Sequence, residues 1–209
     1  MLNTVELVLV RHGETEWTEK GRLHGRLDSP LSPAGRLHAE QAARRLQEET
    51  FAAIYTSPRG RARQTADIIA QPLGQTPKVL DGLAEAHYGW LEGRSLHRWE
   101  PDGTGSRPWR PLARLIHATT AERPAPFGRR VQAALDTLAE RHPGSRLLVI
   151  THWGVISMVM ALLLDGDPAT WRRYGPWAAC GISELRREGA GWQAVRLNDQ
   201  SHLQKERVE

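Results

Sequence analysis

The chain has 209 residues, of which 40% are hydrophobic and 25% are charged, so it is long enough and apolar enough to bury one full core. No apolar run approaches the roughly 20 residues that span a membrane, and no charged segment followed by an apolar one opens the chain, so we expect a cytoplasmic protein with no membrane role. The formal net charge of +4 fits either a nucleic-acid partner or a small anionic substrate, and composition does not separate the two.

The N-terminal part of the sequence predicts a strand followed by a helix. The run VELVLV (residues 5–10) is rich in valine and too short for a helix, which predicts a strand buried on both faces. The segment 32–47 predicts a helix, because Ser32 is a favourable N-cap and Pro33 suits the first helical position.

The same pattern recurs in the next part of the sequence. FAAIYT (residues 51–56) predicts a second short strand. Ser57 and Pro58 repeat the N-cap and first-turn signal, which predicts a second helix that starts there and continues to about residue 70.

The C-terminal half continues the alternation and then changes it. A helix is predicted from residue 131 until Pro143 and Gly144 stop it. A buried strand is predicted over residues 146–151 and a further helix over 152–164. The segments 181–187 and 192–197 alternate polar and apolar residues around a glycine-rich turn, which predicts an antiparallel pair.

Strands that alternate with helices predict a parallel sheet, because a parallel crossover needs about a dozen residues and is normally helical. We therefore predict a single domain over residues 1–209 with a three-layer α/β/α fold, a mostly parallel central sheet and an antiparallel edge. The segment of about 89–126 is dense in Trp, Pro, Arg and Gly, which indicates a small inserted cap. Its Trp90, Trp99 and Trp109 are equally compatible with packing inside the cap and with a wall that faces a substrate.

Four ionisable side chains are predicted to meet at one edge of the sheet. Ligands of a parallel sheet bind at the carboxyl ends of its strands, where the chain turns into helix N-termini. The first strand delivers Arg11 and His12 to that edge, and the strand at 146–151 delivers His152. Arg61 lies in the first turn of a following helix. Helix N-termini and arginines both favour anions, so these residues predict a site for phosphate or carboxylate.

A histidine among arginines is suited to phosphoryl transfer. The positive charges favour the neutral imidazole, which is a nucleophile, and arginines hold phosphoryl oxygens well. A departing alkoxide also needs a proton, and the segment GLAEAHYGWLEG offers Glu85, His87 and Glu92 as donors. The residue types alone do not choose among these three.

Five sequence blocks, in this order, resemble the signature of the histidine phosphatase superfamily, the phosphoglycerate mutase-like proteins. The blocks are LVLVRHGETEW, GRLHGRLDSPLSPAGRLHAEQA, TSPRGRARQTA, LAEAHYGWLEG and VITHWG. Together they span most of residues 5–155. The fold that this resemblance implies is the same α/β/α sandwich.

The resemblance implies a role for each predicted site residue. His12 corresponds to the residue that becomes phosphohistidine, and Arg11 and Arg61 correspond to the arginines that bind phosphate. His152 corresponds to the second histidine, which supports the transferred group. Glu85 corresponds to the proton donor, which resolves the choice left open by the residue types.

Further substrate contacts are implied at Thr18, Gly25 and Trp153, and two of these depart from the family pattern. Thr18 stands where the family usually has an asparagine in the phosphate pocket. Trp153 follows the second histidine where glycine is common; its backbone N–H still fits phosphate, but its indole changes the wall of the pocket. Residues 128–130 read GRR instead of Gly-Glu-Ser, so a substrate contact made there must differ.

We therefore expect a phosphomonoester hydrolase that acts on a small phosphorylated metabolite through phospho-His12, similar to alpha-ribazole phosphatases and broad-specificity phosphatases. Neither a metal nor a cofactor is expected, because the arginines supply positive charge and the single cysteine, Cys180, cannot form a cysteine cluster. A phosphoglycerate mutase is the alternative, and the short chain favours hydrolysis. A non-catalytic phosphate-binding protein is a third hypothesis. We expect no nucleic-acid partner for the enzyme, and a homodimer is compatible with the sequence.

Overall fold

The structure is a computed structural model that describes residues 5–95, 120–188 and 191–203. Its strands are β1 (Glu6–Arg11), β2 (Ala53–Thr56), β3 (Lys78–Val79), β4 (Arg146–Thr151), β5 (Ile182–Glu188) and β6 (Gly191–Asp199). They form one six-stranded sheet in the order β3-β2-β4-β1-β5-β6. The first four strands in this order pair in parallel, whereas β5 and β6 are antiparallel. The mostly parallel sheet with an antiparallel edge is confirmed.

Helices follow most of the parallel strands. They are α1 (Glu16–Glu19), α2 (Pro33–Leu46), α3 (Gly60–Ala70), α4 (Pro124–Arg141) and α5 (Trp153–Met160). A π-helical turn at Ala161–Asp165 continues α5, and short 3-10 turns lie at Asp81–Leu83, Gly89–Leu91 and Pro168–Arg173. Within the described ranges, no helix combines the length and apolar character needed to cross a membrane.

The two faces of the sheet bury different helices. Successive side chains of a strand point to opposite faces, so Val8 and Val10 of β1 pack in one core with α2 and α3. Leu7 and Leu9 pack in a second core on the other face, with α4 and α5. This arrangement of helices, sheet and helices confirms the three-layer α/β/α fold.

The two helix starts predicted from Ser-Pro pairs have different outcomes. Ser32 is the N-cap of α2, and its Oγ accepts a hydrogen bond from Gly35 N at 3.1 Å, as predicted. The prediction for Ser57 is wrong, because α3 begins only at Gly60. The chain from β2 stays extended through Ser57, whose N–H donates to Ile150 O at 3.2 Å, so this residue still belongs to the sheet edge.

The loop after β1 packs directly on the N-terminus of α2. A Cβ at Gly13 would lie 2.6 Å from Gly35 O, and a Cβ at Gly35 would overlap the backbone of Glu14. Gly13 N also donates to Thr65 Oγ1 of α3 at 2.9 Å. Two helices therefore hold the backbone at the end of β1, and glycine at both contact positions permits the close approach.

The predicted cap lies mostly outside the described residues. The structure describes residues 89–95 and 120–126 of it, so Trp99 and Trp109 are not described. Trp90 lies in the 3-10 turn at Gly89–Leu91, where the Arg94 guanidinium is 4.5 Å from the centroid of its ring. The inserted cap and the single-domain organisation stay predictions.

We expect the substitution Ser32→Ala to lower the free energy of unfolding by about 1 kcal/mol, because the N–H of Gly35 loses its acceptor at the start of α2. Ser32→Gly is the matched control and should cost only a few tenths of a kcal/mol, since glycine tolerates the N-cap backbone. Urea denaturation of the three proteins measures the difference. An unchanged midpoint for Ser32→Ala would contradict the assigned cap.

Candidate active site

His12 directly follows β1 at the carboxyl edge of the sheet, and its imidazole is buried. Its Nδ1 lies 2.8 Å from Gly13 O, which can only accept, so Nδ1 carries the proton. Its Nε2 therefore keeps a lone pair, and Arg61 Nε donates to this nitrogen at 3.2 Å. The ring presents a neutral, oriented nitrogen that can attack an electrophile.

The surroundings keep both buried histidines of the site neutral. Burial, followed by the positive charges of Arg61 and Arg11, holds the pKa of His12 well below its ordinary value. Burial and the nearby Arg61 likewise hold the pKa of His152 well below its ordinary value. A neutral imidazole is the form that acts as a nucleophile, so His12 keeps this form at neutral pH.

Arg61 is held by the loop that precedes α2. Its side chain is 1% exposed, and its two terminal nitrogens donate to Gly25 O at 2.9 Å and to Leu27 O at 2.8 Å. Asp28 Oδ1 accepts a further hydrogen bond from Arg61 Nη1 at 3.1 Å. The Asp28 carboxylate also accepts from the backbone N–H groups of Gly60 and Arg61, so it caps α3 where no local side chain does.

Sequence reasoning missed Asp28. It lies inside the second of the five sequence blocks, but its partners are more than thirty residues further along the chain. The local signal for the start of α3 pointed to Ser57 instead. A residue that caps α3 from a distant loop leaves no pattern in the sequence near the start of that helix.

Arg11 ends β1 beside His12. Its Nη1 donates to Trp177 O at 2.5 Å, and its guanidinium carbon lies 5.6 Å from the centroid of the Trp153 ring. Its Nε is buried and has no hydrogen-bond partner within the described part of the chain. Arg11 therefore keeps one donor that no described residue pairs, and it lines the same cavity as His12.

His152 lies behind His12 and does not line the cavity that His12 faces. It is fully buried, and the centroids of the two imidazole rings are 5.1 Å apart in an edge-to-face arrangement. Its Nε2 is 2.6 Å from Ser57 Oγ, while its buried Nδ1 has no hydrogen-bond partner among the residues described. Ser57, which fails as a helix cap, instead orients the second histidine.

Glu85 is buried, and both of its carboxyl oxygens accept backbone hydrogen bonds. Oε1 accepts from Ala86 N at 2.8 Å, and Oε2 accepts from Gly154 N at 3.2 Å, at the start of α5. Burial raises the pKa of this carboxyl group above its ordinary value. A carboxyl group with a raised pKa keeps its proton to a higher pH than an ordinary glutamate does, which suits a proton donor.

The structure separates Glu85 from the other two candidate donors. Of the described residues that line the cavity, Glu85 alone has a carboxyl group. Glu92 does not line the cavity, and its Oε1 accepts from Arg26 N at 3.0 Å and from Tyr88 N at 2.9 Å. The side chain of His87 is 37% exposed, and its Nδ1 lies 3.0 Å from Thr120 O.

Arg130 holds the segment that carries Glu85. Its guanidinium donates to Gly82 O at 3.0 Å, Ala84 O at 2.7 Å and Glu85 O at 3.0 Å. The carboxylate of Glu122 accepts two further bonds from it, at 2.8 and 2.9 Å. Arg130, in the GRR segment that departs from the family pattern, does not line the cavity and instead fixes the backbone of Glu85.

A cavity of about 830 Å³ opens beside His12 and Glu85. The predicted contact residues Thr18, Gly25 and Trp153 all line it, together with both arginines. His24, which sequence reasoning missed, also lines the cavity; burial, followed by the charge of Arg61, lowers its pKa to about 4.

Two threonines orient this third histidine. His24 Nε2 lies 2.8 Å from Thr15 Oγ1, and Thr15 Oγ1 lies 3.0 Å from Thr18 Oγ1. The hydroxyl of Thr18, at the position of the usual asparagine, therefore belongs to a hydrogen-bonded chain at the edge of the cavity.

Comparison with known proteins gives the family. The model of the histidine phosphatase superfamily (branch 1) matches residues 7–200. The chain belongs to the histidine phosphatase superfamily. This confirms the resemblance drawn from the five sequence blocks.

Relatives in the superfamily carry both phosphatase and mutase names. A protein of Yersinia enterocolitica named as the probable phosphoglycerate mutase GpmB is 31% identical, and the match covers 95% of each chain. The structure of Bacillus stearothermophilus YhfR is 29% identical with a TM-score of 0.82, over 96% of this chain and 100% of the other. A mycobacterial glucosyl-3-phosphoglycerate phosphatase with bound VO3 is 26% identical with a TM-score of 0.79, over 92% and 98% of the two chains.

We expect Asp28→Ala to reduce phosphate binding and turnover about tenfold to a hundredfold, because Arg61 loses its charged partner and α3 loses its cap, which moves the guanidinium relative to His12. Inhibition by inorganic phosphate and kcat/KM for one phosphate ester measure the effect. Asp28→Asn is the matched control, since it keeps an oxygen acceptor and should lose less. Equal, small losses in both variants would show that Asp28 does not position Arg61.

Proposed function

We propose that this member of the superfamily hydrolyses phosphomonoesters through a phosphohistidine at Nε2 of His12. One observation carries the proposal: an oriented, neutral His12 nitrogen faces the same cavity as Glu85, a buried carboxyl group whose pKa is raised. A nucleophile and a proton donor with these two properties are what the cleavage of a phosphate ester requires.

In the first step, Arg61 Nε shifts its hydrogen bond from His12 Nε2 to a phosphoryl oxygen. The lone pair of Nε2 that this frees forms a bond to phosphorus while the bond from phosphorus to the ester oxygen breaks. Glu85 gives its proton to that oxygen, so the alcohol leaves neutral and Glu85 becomes a carboxylate. Arg11 and Arg61 stabilise the charge on the phosphoryl oxygens through the donors that they present beside Nε2. His152 does not line the cavity, but its ring packs against that of His12, and through this contact it supports the residue that carries the phosphoryl group.

In the second step, water attacks the phosphorus of phospho-His12. The Glu85 carboxylate takes a proton from this water, the bond between nitrogen and phosphorus breaks, and inorganic phosphate leaves. His12 Nε2 recovers its lone pair. The other ring proton stays on Nδ1 throughout, hydrogen-bonded to Gly13 O. This cycle restores both residues and uses charge from the two arginines alone.

A phosphoglycerate mutase is the alternative, in which a second hydroxyl replaces water as the acceptor. The relative named as a probable mutase supports it. Chain length does not separate the two, because this chain covers 95% of that relative. The cavity of about 830 Å³ offers more room than a three-carbon phosphoglycerate fills, which supports a larger ester as the substrate.

The deciding experiment follows phosphate release in the presence of EDTA from p-nitrophenyl phosphate, sugar phosphates, nucleotides, phosphoglycerates and alpha-ribazole phosphate. Conversion of 3-phosphoglycerate is followed in parallel. We expect release of phosphate from at least one ester, and complete loss of it in His12→Ala. Isomerisation without release would make the protein a mutase. Salt-dependent binding of nucleic acid that survives His12→Ala, with no turnover, would favour a binding protein.

We expect Glu85→Gln to lower kcat/KM about a hundredfold to ten-thousandfold for an alkyl phosphate, because kcat/KM covers the reaction up to the departure of the alcohol and the departing alkoxide loses its proton donor. The loss should be much smaller for p-nitrophenyl phosphate, whose leaving group needs no proton. Steady-state kinetics with the two esters in the wild type and the variant measure this. Equal losses for both esters would remove Glu85 from the donor role.

The pH dependence gives a second measure of the same role. Because burial raises the pKa of Glu85, the acid form persists above the ordinary range of a glutamate, and activity should fall as pH rises through that raised pKa. Because the pKa of His12 is lowered, its neutral form should persist well below its ordinary range on the acid side. Glu85→Gln should remove the fall in activity at high pH, whereas Glu92→Gln should leave this fall in place.

A further inference from the structure

Trp153 presents an aromatic surface to the cavity beside the nucleophile. It is the first residue of α5, directly after His152, and 42% of it is exposed. The other described large hydrophobic residues with such exposure do not line the cavity; they are Leu27, Leu37, Val79, Val195 and Leu197. An indole left uncovered at the mouth of a site is available to a ligand.

Contacts with Arg11 and with the backbone of Gly175 hold the Trp153 indole in place. The Arg11 guanidinium lies 5.6 Å from the ring centroid. The backbone of Gly175 packs against the ring so closely that a Cβ there would lie 2.7 Å from Trp153 Nε1. Gly175 has a φ of 116°, which a residue with a side chain rarely adopts. The ring is therefore oriented before any ligand arrives, so little side-chain entropy remains to be lost on binding.

The wall beside the indole is mostly aromatic and is itself fixed. Trp171, Tyr174 and Pro176 line the same cavity. The hydroxyl of Tyr174 donates to Asp165 Oδ1 at 2.9 Å, and its carbonyl accepts from Ser157 Oγ at 3.0 Å. The exposed indole face of Trp153, with Tyr174 and Pro176 beside it, fits a planar ring better than a hydroxyl-rich chain, because an aromatic face offers few partners for hydroxyl groups.

We propose that Trp153 is a specificity-determining residue that stacks on the alcohol part of the substrate, and that the preferred phosphomonoesters carry an aromatic or heteroaromatic ring on that part. This inference rests on the proposed function in one respect, which is that the phosphate lies against His12. The ring then lies against the indole of Trp153, on the side of the cavity that Tyr174 and Pro176 also line. Phosphate esters without a ring keep the contacts to Arg11 and Arg61 but lose the stacking contact.

The test measures binding, so that it does not depend on turnover. Calorimetry gives the Kd of naphthylmethylphosphonate and of propylphosphonate, two non-hydrolysable phosphate mimics, for the full chain. We expect tighter binding of the naphthyl compound by the wild type. In Trp153→Leu this preference should fall about fivefold to tenfold, since leucine keeps apolar area but has no ring face. Trp153→Phe should keep most of the preference. Because the preference is the ratio of the two Kd values, any effect of a Trp153 substitution on phosphonate binding through Arg11 changes both values and cancels.

Two controls keep the outcome specific. Trp192→Leu removes an indole on β6, outside the cavity, and should leave the preference unchanged. Thermal unfolding of each variant shows that the chain is folded. No preference for the naphthyl compound in the wild type, or the same preference in Trp153→Leu, would overturn the stacking subsite. A preserved stacking effect in a protein that hydrolyses no ester would overturn the proposed function and leave the subsite standing.

Discussion

The Arg61 guanidinium is almost completely buried, and a buried charge is tolerated only when its donors are paired. Its acceptors are Gly25 O, Leu27 O and the Asp28 carboxylate, so the loop before α2 must fold around this one group. The same pairing leaves Arg61 Nε directed at His12 Nε2. Pairing the donors of this one guanidinium group therefore determines the path of the loop, the start of α3 and the position of Arg61 relative to the nucleophile.

The main strands and helices were predictable because their signals are local. β1 and β4 are short apolar runs with both faces buried, and Ser32-Pro33 starts α2. β3 was missed because it has two residues, both exposed, and such a strand leaves no periodic pattern. The start of α3 was misplaced because its cap comes from a distant loop, while Ser57 is held at the sheet edge.

The residues at the strand ends were predictable because a parallel sheet gathers its carboxyl ends, which brings Arg11, His12 and His152 together. The choice of Glu85 needed the family resemblance, since its burial and its contact with Gly154 N follow only from the folded chain. At residues 128–130 the sequence predicted only that any substrate contact must differ from the family's, whereas Arg130 holds the backbone of Glu85. Its partners are carbonyl groups, which every residue has, so no side-chain pattern could have indicated them.

The contact between Gly13 and Gly35 also limits which substitutions this sequence can accept over evolution. Neither position has room for a side chain, because the carbonyl of Gly35 and the backbone of Glu14 occupy the space. A single replacement would push α2 away from the loop that carries His12, and no second replacement at the other position could restore the fit. The exposed Arg36, one residue further along the same helix, faces no such limit. Among related sequences, the range of residues accepted along α2 should therefore change abruptly between adjacent positions: glycine alone at position 35 and almost any residue at position 36.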